Sequence, residues 1–382
     1  MKIGYIYGVL IGLMLFTLAC NTKSNTRNRE TPTDIAHIYE LKRIALLSQF
    51  NEIDSFDRAT GLARTQKGET YGYIDTTGKE IVPCINYNVQ DFTEGLGLVQ
   101  EHEDRGLYFV DKTGKKVIDL AGYSNAFSFK GGYATVEKND KFGLIDKTGK
   151  EVIACSAKEG IFMLSPGNFI FYDGKAKSIV DANGKPSLPF TGFSEIYYNP
   201  IANQYAINTG GKWLIANPDG STLITPDAEG LIYRDGLYFV SKFVEGAGTQ
   251  FGVMNAAGKM IIPYGKYESR NTNASDGMIC VGKETGKSAT DVEGVQQVHL
   301  KVGYCDTTGK EVIPLQFDDA MMDFSEGLAP VQQNEKMGYI DKSGKWVIPA
   351  VYEKAENFRN GIARVSGTLS DEYIDKTGKV IK

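Results

Sequence analysis

Gly338-Tyr339-Ile340-Asp341-Lys342-Ser343-Gly344-Lys345-Trp346-Val347-Ile348-Pro349 is the stretch that decides how this chain folds. Two short runs of aromatic and β-branched residues, Tyr339-Ile340 and Trp346-Val347-Ile348, flank a polar tetrad, and that pattern is a hairpin signal. The side chain of Asp341 is placed to cap the backbone amide two residues on. Gly344 supplies the left-handed residue of a type I turn with a bulge, and Pro349 ends the second strand.

Relatives of this stretch recur along the chain. Aligned on the turn glycine they give Gly78, Gly114, Gly149, Gly184, Gly220, Gly258, Gly309, Gly344 and Gly378, at spacings of 36, 35, 35, 36, 38, 51, 35 and 34 residues. A period in that range, repeated nine times, predicts a repeat architecture and not a single-core domain. The best-preserved unit, 324–358, divides into four candidate strands at 327–332, 337–341, 345–349 and 352–358, which is the content of one propeller blade.

Those residues carry a resemblance. The Phe324-Ser325-Glu326-Gly327-Leu328-Ala329 run, the Gly338–Pro349 stretch and the Tyr352, Ala355, Phe358 series together resemble the WG-repeat (KWG) family over about 330 residues, although the name-giving tryptophan is replaced by Tyr71, Phe142, Phe251, Val302 and Met337. The resemblance implies interaction modules with no common ligand. The fold expected is therefore all-β: nine tandem β-meander repeats of about 35 residues, closed as a propeller-like ring or wound as an open β spiral, after a short N-terminal helix. Units within about 155–235 are degenerate, and about 16 surplus residues fall in 283–300. The chain stops almost at the ninth turn, so the segment 51–56 is a candidate to complete the last unit.

Before the repeats, residues 1–19 read as a lipoprotein signal peptide, with Thr17-Leu18-Ala19-Cys20 resembling a lipobox and Cys20 as the lipidation site. Asn21 after the cysteine favours the outer membrane by the same resemblance. Residues 20–36 are too polar to fold and read as a tether, and Ile38, Leu41, Ile44 and Ala45 place a helix within 37–53. The array then fills 54–382. A net charge of −5 offers no basic footprint for nucleic acid.

Catalytic constellations are not in view. Asp75, Asp111, Asp146, Asp181, Asp306, Asp341 and Asp375 share one repeat position with Asn217 and Asn255, so the position selects turn geometry and not a carboxylate. The three histidines lie near no nucleophile motif, and no metal spacing or cofactor motif is present. Cys84, Cys155, Cys280 and Cys305 read as small core residues, with Cys280 and Cys305 close enough in the repeat to pair. For a binding surface the candidates are the variable first-strand column that includes Arg64, Leu98, Thr135, Pro330 and Arg364, together with Tyr197 and Tyr198, one of which should point outward from a strand, and the 283–300 segment with His299. The expectation is a lipid-anchored, non-catalytic envelope scaffold that binds another macromolecule. A glycan-binding or glycan-processing protein and a passive spacer are the alternatives.

Overall fold

The structure, a computed structural model, describes residues 32–268, 274–290, 296–318, 323–367 and 371–381, with side chains described at all of these but 32–33 and 285–300. The expected signal peptide, Cys20 and the tether up to residue 31 lie outside them. The described strands form nine sheets, at 52–86, 88–119, 125–157, 162–191, 195–224, 230–262, 274–317, 328–352 and 354–375; seven have four strands and the last two have three. Strand order within each sheet follows the chain, so every sheet is a meander. The architecture is all-β and propeller-like, and the degenerate stretch forms complete four-stranded sheets like its neighbours.

The turn behaves as its residues predict. In the eighth sheet Asp341 Oδ1 accepts Ser343 N at 2.8 Å and Lys345 N at 3.1 Å. Asn255 does the same with Ala257 N at 3.1 Å and Lys259 N at 3.0 Å. All nine turn glycines have positive φ; that of Gly344 is 82°. The glycine that opens the motif has a different cause. A Cβ on Gly338 would stand 2.6 Å from Ile348 O, because the register of the strand Trp346–Tyr352 shifts there and brings its backbone across.

The sheets do not begin where the four-strand unit suggested. Lys354–Ala355 pairs with Ile362–Ser366, not with Trp346–Tyr352, so the 352–358 strand opens the following sheet. Packing explains the phase: Ala355 and Phe358 fill the junction between the eighth and ninth sheets from the ninth side. By the same phase Glu52–Ile53 pairs with Leu62–Lys67 and opens the first sheet, so 51–56 does not complete the ninth. The ninth sheet ends in the single bridge Ile374 to Val380.

Each junction between consecutive sheets is an apolar core shared by the two. Leu328, Tyr339 and Ile348 of the eighth sheet meet Ala355, Phe358, Ala363, Val365 and Ile374 of the ninth. Tyr339 is fully buried, and its hydroxyl donates to Glu356 O at 2.7 Å. A carboxylate adds a clamp across the junction: Glu326 accepts Asn360 N at 2.6 Å and Gly361 N at 2.9 Å, and pairs with Lys376 at 2.9 Å. Glu94 holds Gly131, Gly132 and Lys147 in the same way, and Asp276 holds Gly327 and Lys342.

The helix α1 spans Pro32–Leu46, earlier than the expected 37–53. Proline fits a first helical turn, where its missing N–H is not needed, and Asp34 suits the positive end of the helix dipole. Its packed face is also different. Ala36 and Leu46 are buried and Tyr39 packs beside Phe56, whereas Leu41 and Ala45 are exposed. The helix covers the face of the first sheet that carries Ile53, Phe56, Ala63 and Ile74. Leu46 even takes the place of the isoleucine on which a turn glycine rests elsewhere: Gly378 sits over Ile348, and Gly78 over Leu46.

The same helix reaches the ninth sheet. His37 Nδ1 lies 2.8 Å from Asn360 O, and Arg58 donates to Asn360 Oδ1 at 3.2 Å. At this seam α1 and Arg58 thus touch the ninth sheet's entry loop while α1 covers the first sheet.

Candidate functional site

Because the second to eighth sheets each pack between two others, alternation along their strands directs side chains to two cores and not to a core and solvent. This corrects the reading of the candidate surface. In the variable column Leu98, Thr135 and Pro330 are buried. Arg64 is partly buried, bonded to Asp54 at 3.1 Å and lying over the Tyr71 ring at 4.9 Å. Arg364 alone is well exposed, ion-paired with Asp371, because its face looks onto the seam.

Tyr197 and Tyr198 are both half-buried and face opposite junctions. Tyr197 stacks on Trp213 at 5.9 Å between centroids, with its hydroxyl 3.2 Å from Glu195 Oε2, and Tyr198 packs against Tyr205 at 5.1 Å. Cys280 and Cys305 are free thiols. Cys280 stands opposite Tyr304 and Cys305 opposite Ile279, so the two sulfurs enter different cores. His299 lies on the strand Gln296–Asp306, and its side chain is outside the described residues.

What departs from the regular plan is concentrated in the sixth and seventh sheets. Their second and third strands run past the length seen elsewhere. Leu237–Val244 pairs with Gly248–Asn255 over eight residues each. Met278–Thr290 pairs with Gln296–Asp306 as far as Thr290 opposite Gln296, with a register shift between Glu284 and Ser288. The eighth sheet's hairpin stops at Gln333 opposite Lys336, the level of Lys283 opposite Lys301. The surplus residues thus build a paired arm that extends the seventh sheet by roughly 20 Å.

A groove lies between the fifth and sixth sheets on the side of the shorter extension. Its volume is about 670 Å³, and it is lined by Trp213, Asp227, Glu229, Lys242 and Phe243 among others. Phe243 is 61% exposed at its edge. Lys242 pairs with Asp227 at 2.6 Å and lies over the Tyr264 ring at 4.6 Å. Burial, then the Asp227 charge, pushes the Tyr264 hydroxyl up to about 12, so it stays protonated and donates to Asp227 O. Trp213 closes the floor, its indole N–H on Glu229 O at 3.1 Å. The groove is an aromatic and charged surface; Phe243, like the exposed Lys212 and Glu245 at its rim, is free to meet a partner without breaking an internal bond.

Sequence reasoning missed Phe243 and the clamp carboxylates. The clamp had a visible signal, an acidic residue before glycine in Phe92-Thr93-Glu94-Gly95 and Phe324-Ser325-Glu326-Gly327. Phe243 had none, since an aromatic in a strand reads as core.

The fold defines the class: an all-β repeat protein of propeller-like architecture. Within it, residues 71–103, 109–142, 303–336 and 337–366 match the family model described as WG containing repeat, so the chain carries WG repeats at four places. Among curated proteins none matches the chain. A crystal structure described as the eukaryotic initiation factor is similar at a TM-score of 0.54 and 11% identity, over 84% of this chain and 95% of that one. At that identity the likeness is one of fold alone. Kluyveromyces lactis Hsv2 is more distant, with a TM-score of 0.32 and 9% identity over 65% and 96% of the two chains.

Proposed function

We propose that the nine sheets close into a single propeller-like ring, anchored through a lipid on Cys20 to the bacterial outer membrane. The ring acts as a non-catalytic scaffold that binds another envelope protein. The observation that carries the binding reading is the paired arm of 278–306: a repeat array that only filled space would have no cause to extend two adjacent hairpins beyond the common length. Strands with paired backbones present side chains in a fixed register, which suits recognition of a protein surface. The turn aspartates, the most numerous carboxylates of the repeat, have an oxygen engaged by their own turn and serve structure.

A second reading is an envelope glycan-binding or glycan-processing protein. It is favoured by Glu195 beside Tyr197 and by the aromatic groove at Trp213 and Phe243. Crosslinking in intact cells followed by pull-down and mass spectrometry separates the two. A discrete protein partner lost on deleting 283–300 supports the scaffold. Glycan capture lost with Phe243→Ala supports the alternative, and capture of nothing supports a passive spacer.

A further inference from the structure

The seam between α1 and the ninth sheet holds a half-open pocket of about 600 Å³. Its walls come from both ends of the array: Glu40, Arg43 and Leu47 on or just after the helix, Asp54 in the first sheet's entry, Glu356 and Tyr373 in the ninth sheet's segment. At the junction of the eighth and ninth sheets the corresponding space is filled by Tyr339. Its counterpart Tyr373 meets no further sheet and is left half-exposed on the cavity wall.

The polar groups of the wall are unevenly satisfied. Arg43 is used up internally, with two bonds to Glu40 and one to Ile53 O. Arg364 is held by Asp371, and Glu356 lies only at the 3.9 Å edge of its reach. Asp54 is half-buried, and burial raises its carboxyl pKa although Arg64 opposes the shift. Asn357 Oδ1 is buried and has no hydrogen-bond partner. A buried acceptor without a donor is costly, so a group that meets it as the Asn357 amide turns toward the pocket gains more than a surface bond would give.

We propose that this cavity binds a basic side chain, lysine or arginine, of a polypeptide. Carboxylates outnumber guanidinium groups along the wall, and the orphan acceptor asks for an N–H donor. Glu52, with no ion pair among the described residues, and Glu356, 3.9 Å from Arg364, are the carboxylates of the wall least committed to an internal cation, and the Tyr373 ring with Leu47 and Ile362 offers an apolar lining to the aliphatic stem. Arg359 is exposed and has no carboxylate partner among the described residues. It is placed to meet a backbone carbonyl, which favours a peptide over a free polyamine. A ligand seated here touches both ends of the array and holds the seam shut.

The test is calorimetric titration of the full-length chain in detergent micelles with acetyl-Gly-Lys-Gly-Lys-Gly-amide. The expected result is saturable binding, weakened at least tenfold by Glu356→Gln and by Asn357→Leu and unchanged by deletion of 283–300. Hydrogen exchange in 32–46 should slow when the peptide binds. Glu356 is exposed, so its variant folds, and circular dichroism checks that. The proposal is overturned if no saturable binding occurs, if the glutamate analogue of the peptide binds as tightly, or if both variants bind like the parent. Equal binding by spermidine overturns the assignment to a peptide.

Discussion

The junction between the eighth and ninth sheets and the seam between the ninth and the first join the same kind of sheet face in two ways. At the junction Tyr339, Leu328 and Ile348 fill the space against Phe358, Ala363 and Ile374, and Glu326 clamps the next loop. At the seam the equivalent face of the first sheet, Ile53, Phe56, Ala63 and Ile74, meets Tyr39, Leu46, Leu47 and Phe50. The clamp position holds Asn360, bonded by Arg58 and His37. At the eighth–ninth junction a sheet thus closes a sheet tightly, whereas at the seam a helix covers the same apolar residues and leaves a polar pocket behind.

The sharpest way to break this comparison is to remove the central tyrosine on each side. Tyr339→Ala deletes a fully buried ring and should cost about 3–5 kcal/mol, read as a fall in denaturation midpoint. Tyr373→Ala removes a ring with one open side and should cost about 1 kcal/mol. Equal losses would mean that the seam is packed like any junction.

Gly344→Val should come next. Its φ of 82° is strained for a β-branched residue, and the new Cβ would stand 3.1 Å from Ile313 Cγ2 of the preceding sheet. A loss of about 2–3 kcal/mol is expected. A variant that melts with the parent would remove the basis for reading this turn as left-handed.

Glu326→Gln should be smaller. Asn360 N and Gly361 N are accepted by different oxygens of Glu326, so glutamine turns its NH2 toward one of them, and it loses the charge pair with Lys376; with the side chain about a third exposed, about 1–2 kcal/mol is expected. Asn360→Ala at the seam removes one exposed bond from Arg58 and should cost less than about 0.5 kcal/mol. Hydrogen exchange at Gly361 reports the first loss directly: faster exchange in the Glu326 variant is the expected sign.

The parts of this structure that were legible in the sequence are those fixed within about ten residues. The turn at Asp341 to Gly344 is local, and the spacing announces both it and the surplus residues at 283–300, though not that they pair as an arm. What required the third dimension was misread. Tyr197 and Tyr198 suggested one outward side chain because alternation was taken to mean core and solvent, and here it means two cores. The sheet phase was hidden because Lys354–Ala355 pairs over two residues and has no pattern of its own. Cys280 and Cys305 looked like neighbours until a one-residue offset in register sent them to opposite faces. The helix stripe failed for a related reason: Tyr39 and Arg43 are held by Phe56 and Ile53 O, contacts that no helical periodicity contains.

The smallest expected effect separates geometry from charge. Asp341→Asn keeps the oxygen that accepts Ser343 N and Lys345 N, as Asn255 already shows, and should leave stability at pH 7 within about 0.5 kcal/mol of the parent. Its pH dependence should still change. The Ser343 hydroxyl, above all, holds the Asp341 carboxyl below the ordinary aspartate range, and the other turn aspartates are lowered likewise. A carboxyl depressed in the folded state contributes stability that is present above its unfolded value of about 3.9 and is lost as pH falls through the folded value. The parent should therefore lose stability steeply below about pH 4, and each Asp→Asn turn variant should make that loss shallower. Asp54 at the seam runs the other way. Its carboxyl is raised by burial, so protonation relieves it as pH falls, and acid should loosen the turns of the regular sheets while easing the strain at this one. Melting curves of the parent and Asp341→Asn between pH 3 and 7 decide the point: parallel curves would show that the turn carboxylates do not carry the acid response.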